Sequence, residues 1–129
     1  MFKTSLACLT LAALMLTTTF ANAGAKRSYP VSITKNADGS GTASGSTASA
    51  RSSADANQEV YCSLGANTGA CVLKDATGKT LACSTSDAAM VEIIRHFGTD
   101  SFLQISANTA GACTSVRVSN MSSLAPKAQ

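Results

Sequence analysis

From Pro30 onward, apolar and polar residues alternate in short runs, and glycine- and asparagine-containing turns separate the runs. Across Pro30–Lys35, Val31 and Ile33 fall on one face and Ser32 and Thr34 on the other, the period of a half-buried strand. Glu59–Leu64, Ala70–Asp75 and Lys79–Cys83 repeat this pattern and read as a three-stranded meander. Ser101–Ala107 and Cys113–Asn120 read as two further strands, joined by Asn108-Thr109-Ala110-Gly111. The period changes once. Met90, Val91, Ile93, Ile94 and Phe97 recur at i, i+1, i+3, i+4 and i+7, which makes one apolar stripe on a helix. That helix is expected near residues 86–97, with Ser86 as its N-cap, Asp87 at its positive end and Gly98 as its stop. The predicted class is α+β: a small antiparallel sheet of about five to seven short strands, covered on one face by one helix.

One stretch breaks the alternation. No Val, Ile, Leu, Met, Phe or Tyr occurs from Thr34 to Glu59. Asn36-Ala37-Asp38-Gly39-Ser40-Gly41 is a strong turn signal, and tiny and polar residues follow it. Such composition fits a linker, because little area is available to offset ordering entropy. It also fits a strand around 42–49 that pairs back on Val31–Lys35 with its alanines under neighbouring strands, and that is the favoured expectation.

The first residues carry a different pattern. A basic start at Lys3, an apolar run from Ser5 to Leu16 and the small residues Ala21-Asn22-Ala23 have the three parts of a secretory signal. The run is shorter than the ~20 residues that span a bilayer. Residues 1–23 are therefore expected to be a cleaved signal, with 24–129 forming one small secreted or periplasmic domain with frayed ends and no membrane insertion. Most of what looks like a hydrophobic composition sits in that leader. From Gly24 onward there are 21 large apolar residues against 27 serines and threonines and 18 alanines. So small a core calls for covalent staples.

Cysteines supply them. Beyond Cys8 in the leader, Cys62, Cys71, Cys83 and Cys113 are an even set in a short exported chain, which reads as two disulfides. Intervening stretches of 8, 11 and 29 residues, with no C-x-x-C pair, do not suit a closed zinc site. The segment from Cys71 to Cys83 is symmetric about Thr77, and a three-residue loop Ala76-Thr77-Gly78 would set Cys71 opposite Cys83. That favours Cys71–Cys83 with Cys62–Cys113. The second pairing in line is Cys62–Cys71 across the turn at 66–69, leaving Cys83–Cys113.

Charge and chemistry add little. The nine basic and seven acidic residues from Gly24 onward are scattered, so a nucleic-acid footprint is missing. The lone His96 lies one turn from Glu92 and reads as a solvated contact. No G-x-S-x-G elbow or calcium-loop pattern occurs. Asp55 and Glu59 are the only acids without an evident turn or cap role, which leaves a two-carboxylate enzyme as a remote reading. Arg51, Asp55 and Gln58 mark a polar loop in which Asp55 would accept backbone amides and pair with Arg51, a structural turn before a recognition loop. No cofactor, metal or catalytic set is expected.

The stretch G-S-x-x-x-A-R-x-S-A-D-x-x-Q from Gly45 to Gln58, followed by Tyr61-Cys62 and three later cysteines, resembles a group of uncharacterised small exported four-cysteine bacterial proteins. The resemblance covers roughly Gly45 to Asn120. It implies that residues 42–58 are ordered, and it brings no activity with it. The functional expectation is an exported non-enzymatic binding or structural module of the envelope or medium, with an unidentified protein or surface as partner. The alternative is a secreted inhibitor of a protease or lysozyme-type hydrolase, presenting Gly65–Gly69 or Ala76–Gly78.

Overall fold

Three hairpins of this protein turn on the same five-residue device. In the computed structural model, which describes residues 26–124, the device spans Asn36–Ser40, Asp75–Lys79 and Asn108–Ala112. In each, the first N–H donates to the fifth carbonyl, at 2.8, 2.9 and 3.0 Å respectively. The fourth residue is a glycine whose N–H donates back to the first carbonyl. Those glycines, Gly39, Gly78 and Gly111, have φ of 91°, 86° and 77°, and no other described residue has positive φ. A left-handed residue closing a three-residue loop is what joins twisted antiparallel strands without splaying them, and glycine occupies it without steric cost. Polar side chains lock the turns: Asp75 Oδ1 accepts from Thr77 N–H at 2.9 Å, and Asn108 Oδ1 from Ala110 N–H at 3.0 Å.

The strands these turns connect number seven, with two short helices: β1 Ser32–Lys35, β2 Gly41–Ser46, α1 Thr47–Arg51, β3 Glu59–Leu64, β4 Gly69–Lys74, β5 Thr80–Thr85, α2 Ala88–Arg95, β6 Ser101–Ala107 and β7 Cys113–Asn120. The strand pairs are antiparallel throughout, and the strands divide between two sheets, ordered β1-β2-β6-β7 and β3-β4-β5. Register puts Ile33, Ala43, Ile105 and Val116 in one inward row, and Gly45, Leu103 and Val118 in the next. These meet Cys71, Leu73, Leu81 and Cys83 of the meander in one core. The α2 helix packs against β7 on one side and β3 and β4 on the other, through its buried Val91 and Ile94. Its N-cap is Asp87, which accepts from Met90 N–H at 2.9 Å. Ser86 was the expected cap. Asp87 N–H is taken by Thr85 Oγ1 at 3.0 Å, so the chain enters the helix one residue later. Gly98 is not the left-handed stop either, since the helix closes on an αR residue, His96.

The stretch without large side chains is the tightest part of the fold. β2 lies between β1 and β6 and ends at Ser46, earlier than the strand to residue 49 that composition indicates. The chain then turns into α1, where Ala48, Ser49 and Ala50 are buried. Bulk is excluded there: a Cβ on Gly45 would come within 2.9 Å of Val31 Cγ2 and 3.0 Å of Val31 Cα. Ser46 Oγ accepts from Ser49 N–H at 3.1 Å and donates to Ser49 Oγ at 2.8 Å, and Ser49 Oγ accepts from Tyr29 N–H at 2.8 Å. Hydroxyls thus take over backbone groups that burial would otherwise leave unpaired.

Both disulfides follow the second pairing, Cys62–Cys71 and Cys83–Cys113. The expected loop Ala76-Thr77-Gly78 does set Cys71 opposite Cys83, but Cys71 sits on the central strand and lies opposite Cys62 as well. The ladder decides between them. Asp75 and Lys79 are hydrogen-bonded partners, so alternation in steps of two makes Cys71 and Cys83 a hydrogen-bonded pair, about 5.5 Å apart between Cα atoms. On the other side Gly65 N–H donates to Thr68 O, which makes Cys62 and Cys71 a non-hydrogen-bonded pair. Side chains approach most closely at such sites, and the Cα–Cα distance there is 4.1 Å. The second bridge joins β5 to β7, one sheet to the other, beside a hydrogen bond of 3.0 Å from Ser84 N–H to Gly111 O.

Candidate functional site

The polar loop expected around Arg51, Asp55 and Gln58 is ordered, with a different wiring from the one its residue types indicate. Asp55 Oδ1 accepts from the N–H groups of Asn57 and Gln58, both at 2.9 Å, and Oδ2 accepts from Gln58 Nε2 at 2.7 Å. Gln58 Oε1 then accepts from Val31 N–H at 2.8 Å, tying the loop to the start of β1. The side-chain amide of Gln58, followed by the Asn57 N–H, holds the Asp55 carboxyl down at about 2. Arg51 does not pair with Asp55. Its Nη2 donates to Thr99 O at 3.1 Å and Asp100 Oδ1 at 3.2 Å. The cause is α1, which composition did not reveal: as the last residue of that helix, Arg51 points toward the segment after α2. Thr47 at the other end of α1 donates to the same Thr99 carbonyl at 2.7 Å.

These contacts frame a cleft of about 530 Å³ between α1, the start of β3 and the chain following α2. Ala50, Val60, Tyr61 and Phe97 supply its apolar walls, and Arg51 and Glu59 stand at its rim. The segment from 96 to 101 is pinned as a wall. Gly98 N–H donates to Ser101 Oγ at 2.8 Å, Ser101 Oγ is hydrogen-bonded to Asn120 Oδ1, and Asn120 Nδ2 reaches His96 O at 3.3 Å. Phe97 was read only as part of the helix stripe, and Tyr61 only as an outward strand position. Nothing in the sequence brings the two together, because their meeting depends on α2 packing beside β3.

Beside the cleft, β3 is the edge of its sheet. The alternation that brings Cys62 against Cys71 also turns the N–H and C=O groups of Val60, Cys62 and Leu64 away from β4. Among the described residues β4 is the only strand paired with β3. The three exposed large apolar side chains all fall here: Tyr61 at 49 % and Leu64 at 45 % on β3, and Ile93 at 37 % on α2. The strand carries no lysine, proline or bulge of the kind that usually protects an edge.

Other chemistry is sparse. Glu59 lies 3.8 Å from Lys74 across the β3–β4 pair, and Asp55 is occupied by its amides, so the two carboxylates are engaged separately. His96 and Glu92 make an exposed contact at 3.5 Å. Among the described residues no group of three or more His, Cys, Asp or Glu side chains is placed to hold a metal ion, and no helix is long and apolar enough to cross a membrane. The expected leader lies outside the described residues. No protein-family model matches the chain, and no curated protein or solved structure does.

Proposed function

We propose that this chain is an exported, non-catalytic binding module of the envelope or medium, and that it engages an extended segment of a protein partner at the free edge of β3. One observation carries the reading: an unprotected edge strand runs beside an apolar cleft, and the exposed large apolar side chains gather around both. An added strand would pair with the outward backbone groups of Val60 and Cys62, and a side chain of that strand would fill the space between Tyr61 and Phe97. Export is supported by the leader pattern and by the two disulfides, which persist in oxidising compartments.

The test uses the oxidised protein lacking residues 1–23 as bait against envelope and culture-medium fractions. Val60→Pro removes an outward N–H while leaving the bonds to β4 in place, and Phe97→Ala empties the cleft wall. The expected result is a protein partner retained by the wild type and reduced at least tenfold by either variant. Equal retention by both variants sinks the edge reading.

A second reading, a hydrolase inhibitor, has its own support in the loop Ala76-Thr77-Gly78. Asp75 Oδ1 accepts from Thr77 N–H, Thr77 Oγ1 and Lys79 N–H, and Asn57 Nδ2 holds Ala76 O at 2.9 Å, so an exposed loop is presented rigidly. Stoichiometric loss of activity across a panel of proteases and lysozymes, abolished by Asp75→Ala and kept by Val60→Pro, would establish this reading in place of the first.

A further inference from the structure

We propose that the cysteines form a thiol-triggered relay, in which Cys71 exchanges its partner from Cys62 to Cys83 and thereby releases Cys113. The inference goes beyond the binding reading and does not rest on it. Register places Cys62, Cys71 and Cys83 in one row across β3, β4 and β5, with Cys71 in the middle. Directly opposed residues share a face and bring their Cβ atoms to within about 4.5–5.5 Å. Cys71 is therefore flanked by two cysteines and bonded to one of them, while the other holds Cys113 of the second sheet. The wider hydrogen-bonded spacing between Cys71 and Cys83, about 5.5 Å, still lies within the range a disulfide bridges.

Burial gives the relay a direction. Cys71, Cys83 and Cys113 are 0 %, 4 % and 6 % exposed, whereas Cys62 on the edge strand is half-buried. A small thiol of the glutathione class thus meets Cys62 first. Its thiolate attacks Cys62 Sγ; a mixed disulfide forms there, the Cys62–Cys71 bond breaks, and the electron pair leaves on Cys71. The Cys71 thiolate then attacks Cys83 Sγ. A Cys71–Cys83 bond forms, the Cys83–Cys113 bond breaks, and Cys113 leaves as a thiolate that takes a proton from water. Two disulfide bonds exist before and after, and one thiol has been exchanged for another, so no oxidant is needed. The mechanical result is specific: the bridge between the sheets becomes a bridge within the meander. The start of β7 is then held to β5 by the hydrogen bond from Ser84 to Gly111 and by packing.

The experiment treats the native oxidised protein with limiting glutathione, followed by acid quench, unfolding, alkylation and peptide mapping. The expected product carries glutathione on Cys62, an alkyl group on Cys113 in equal amount, and a Cys71–Cys83 linked peptide. Alkylation of Cys71 with Cys83–Cys113 intact overturns the relay, as does simultaneous labelling of all four cysteines. Cys62→Ser provides a second measurement, since it starts with Cys71 free. Alkyl label shared between Cys71 and Cys113 supports the relay, and label confined to Cys71 refutes it.

Discussion

The meander from Glu59 to Thr85 and the segment from Val31 to Arg51 occupy neighbouring parts of one core, and they are built on opposite principles. The meander fills space with Leu73, Leu81 and the cystine sulfurs, as large apolar side chains do in most small domains. The other segment fills space by bringing backbones together. Gly45 lets Val31 sit on it, Ala43 and Ala48 are almost fully enclosed, and buried serines bond to main-chain groups. The first strategy is stabilised by area removed from water, the second by contact density and satisfied hydrogen bonds. A scarcity of large side chains is therefore no sign of disorder here. It is the condition for two strands and a helix to pass so close.

The largest effect expected from breaking this contrast is on the meander side. Leu73 has no exposed surface and no space into which its neighbours can collapse without moving both sheets. Leu73→Ala should cost about 2–5 kcal/mol, measured as a fall in the urea midpoint of the oxidised protein at constant slope. A loss below that range would mean that the disulfides, rather than the apolar contact, hold the meander to its partner sheet.

Next comes the opposite perturbation on the close-packed side, where adding atoms should do the damage. Gly45→Val places carbon where Val31 already stands, and overpacking of this kind costs about 1–3 kcal/mol. Val31→Ala in the same chain removes the clashing methyls, so the double variant should be more stable than the sum of the two single losses implies. Strict additivity would show that β1 simply moves aside.

These two positions also show what was legible in advance. The alternation of large and small residues marked β3, β6 and β7 residue for residue, because one face of each is buried and the period reports it. The glycine turns were equally plain, since a left-handed position leaves a chemical signature. The helix α1 was not legible: five residues of Thr, Ser, Ala and Arg carry no apolar stripe, and its Ser46 cap reads equally well as a strand residue. Missing α1 misplaced Arg51, and with it the cleft. The disulfides failed for another reason. Symmetry about Thr77 gave the right register for Cys71 and Cys83, but only the hydrogen-bond phase of the ladder, set by where each turn closes, distinguishes a narrow pair from a wide one.

A smaller effect is expected from a single buried hydroxyl. Ser46 Oγ caps α1 and also donates to Ser49 Oγ, so Ser46→Ala removes a cap and leaves Ser49 with one partner fewer. Loss of such a cap costs about 0.5–2 kcal/mol. Thermal unfolding should register it, and Ser46→Thr, which keeps the hydroxyl in a slightly larger residue, should recover less than full stability where bulk is the controlling variable.

The finest distinction concerns pH, and it separates the loop that closes the close-packed segment from the turns of the meander. Asp55 is held down to about 2 by Gln58 and the Asn57 N–H, against 3.8 for an ordinary aspartate. A depressed carboxyl contributes stability that is fully present above its unfolded value and is lost as pH falls through its folded value. Its share should therefore be constant above pH 5 and fade between about pH 4 and pH 2. Asp38 and Asp75 are lowered too, each by its own turn, so acid unfolding of the wild type reports all three. Asp55→Asn isolates one. The asparagine amide would point a donor at the Gln58 amide that Oδ2 accepts, and Gln58 could satisfy it only by turning away from Val31 N–H. The variant should be less stable than the wild type at pH 7, and the two urea midpoints should converge as pH approaches 2. Asp75→Asn, whose contacts stay within its own turn, should show the same convergence without disturbing the amide exchange of Val31, whereas Asp55→Asn should accelerate it. If both variants leave Val31 equally protected, the link from Asp55 through Gln58 to β1 carries no strain, and the loop is held by α1 alone.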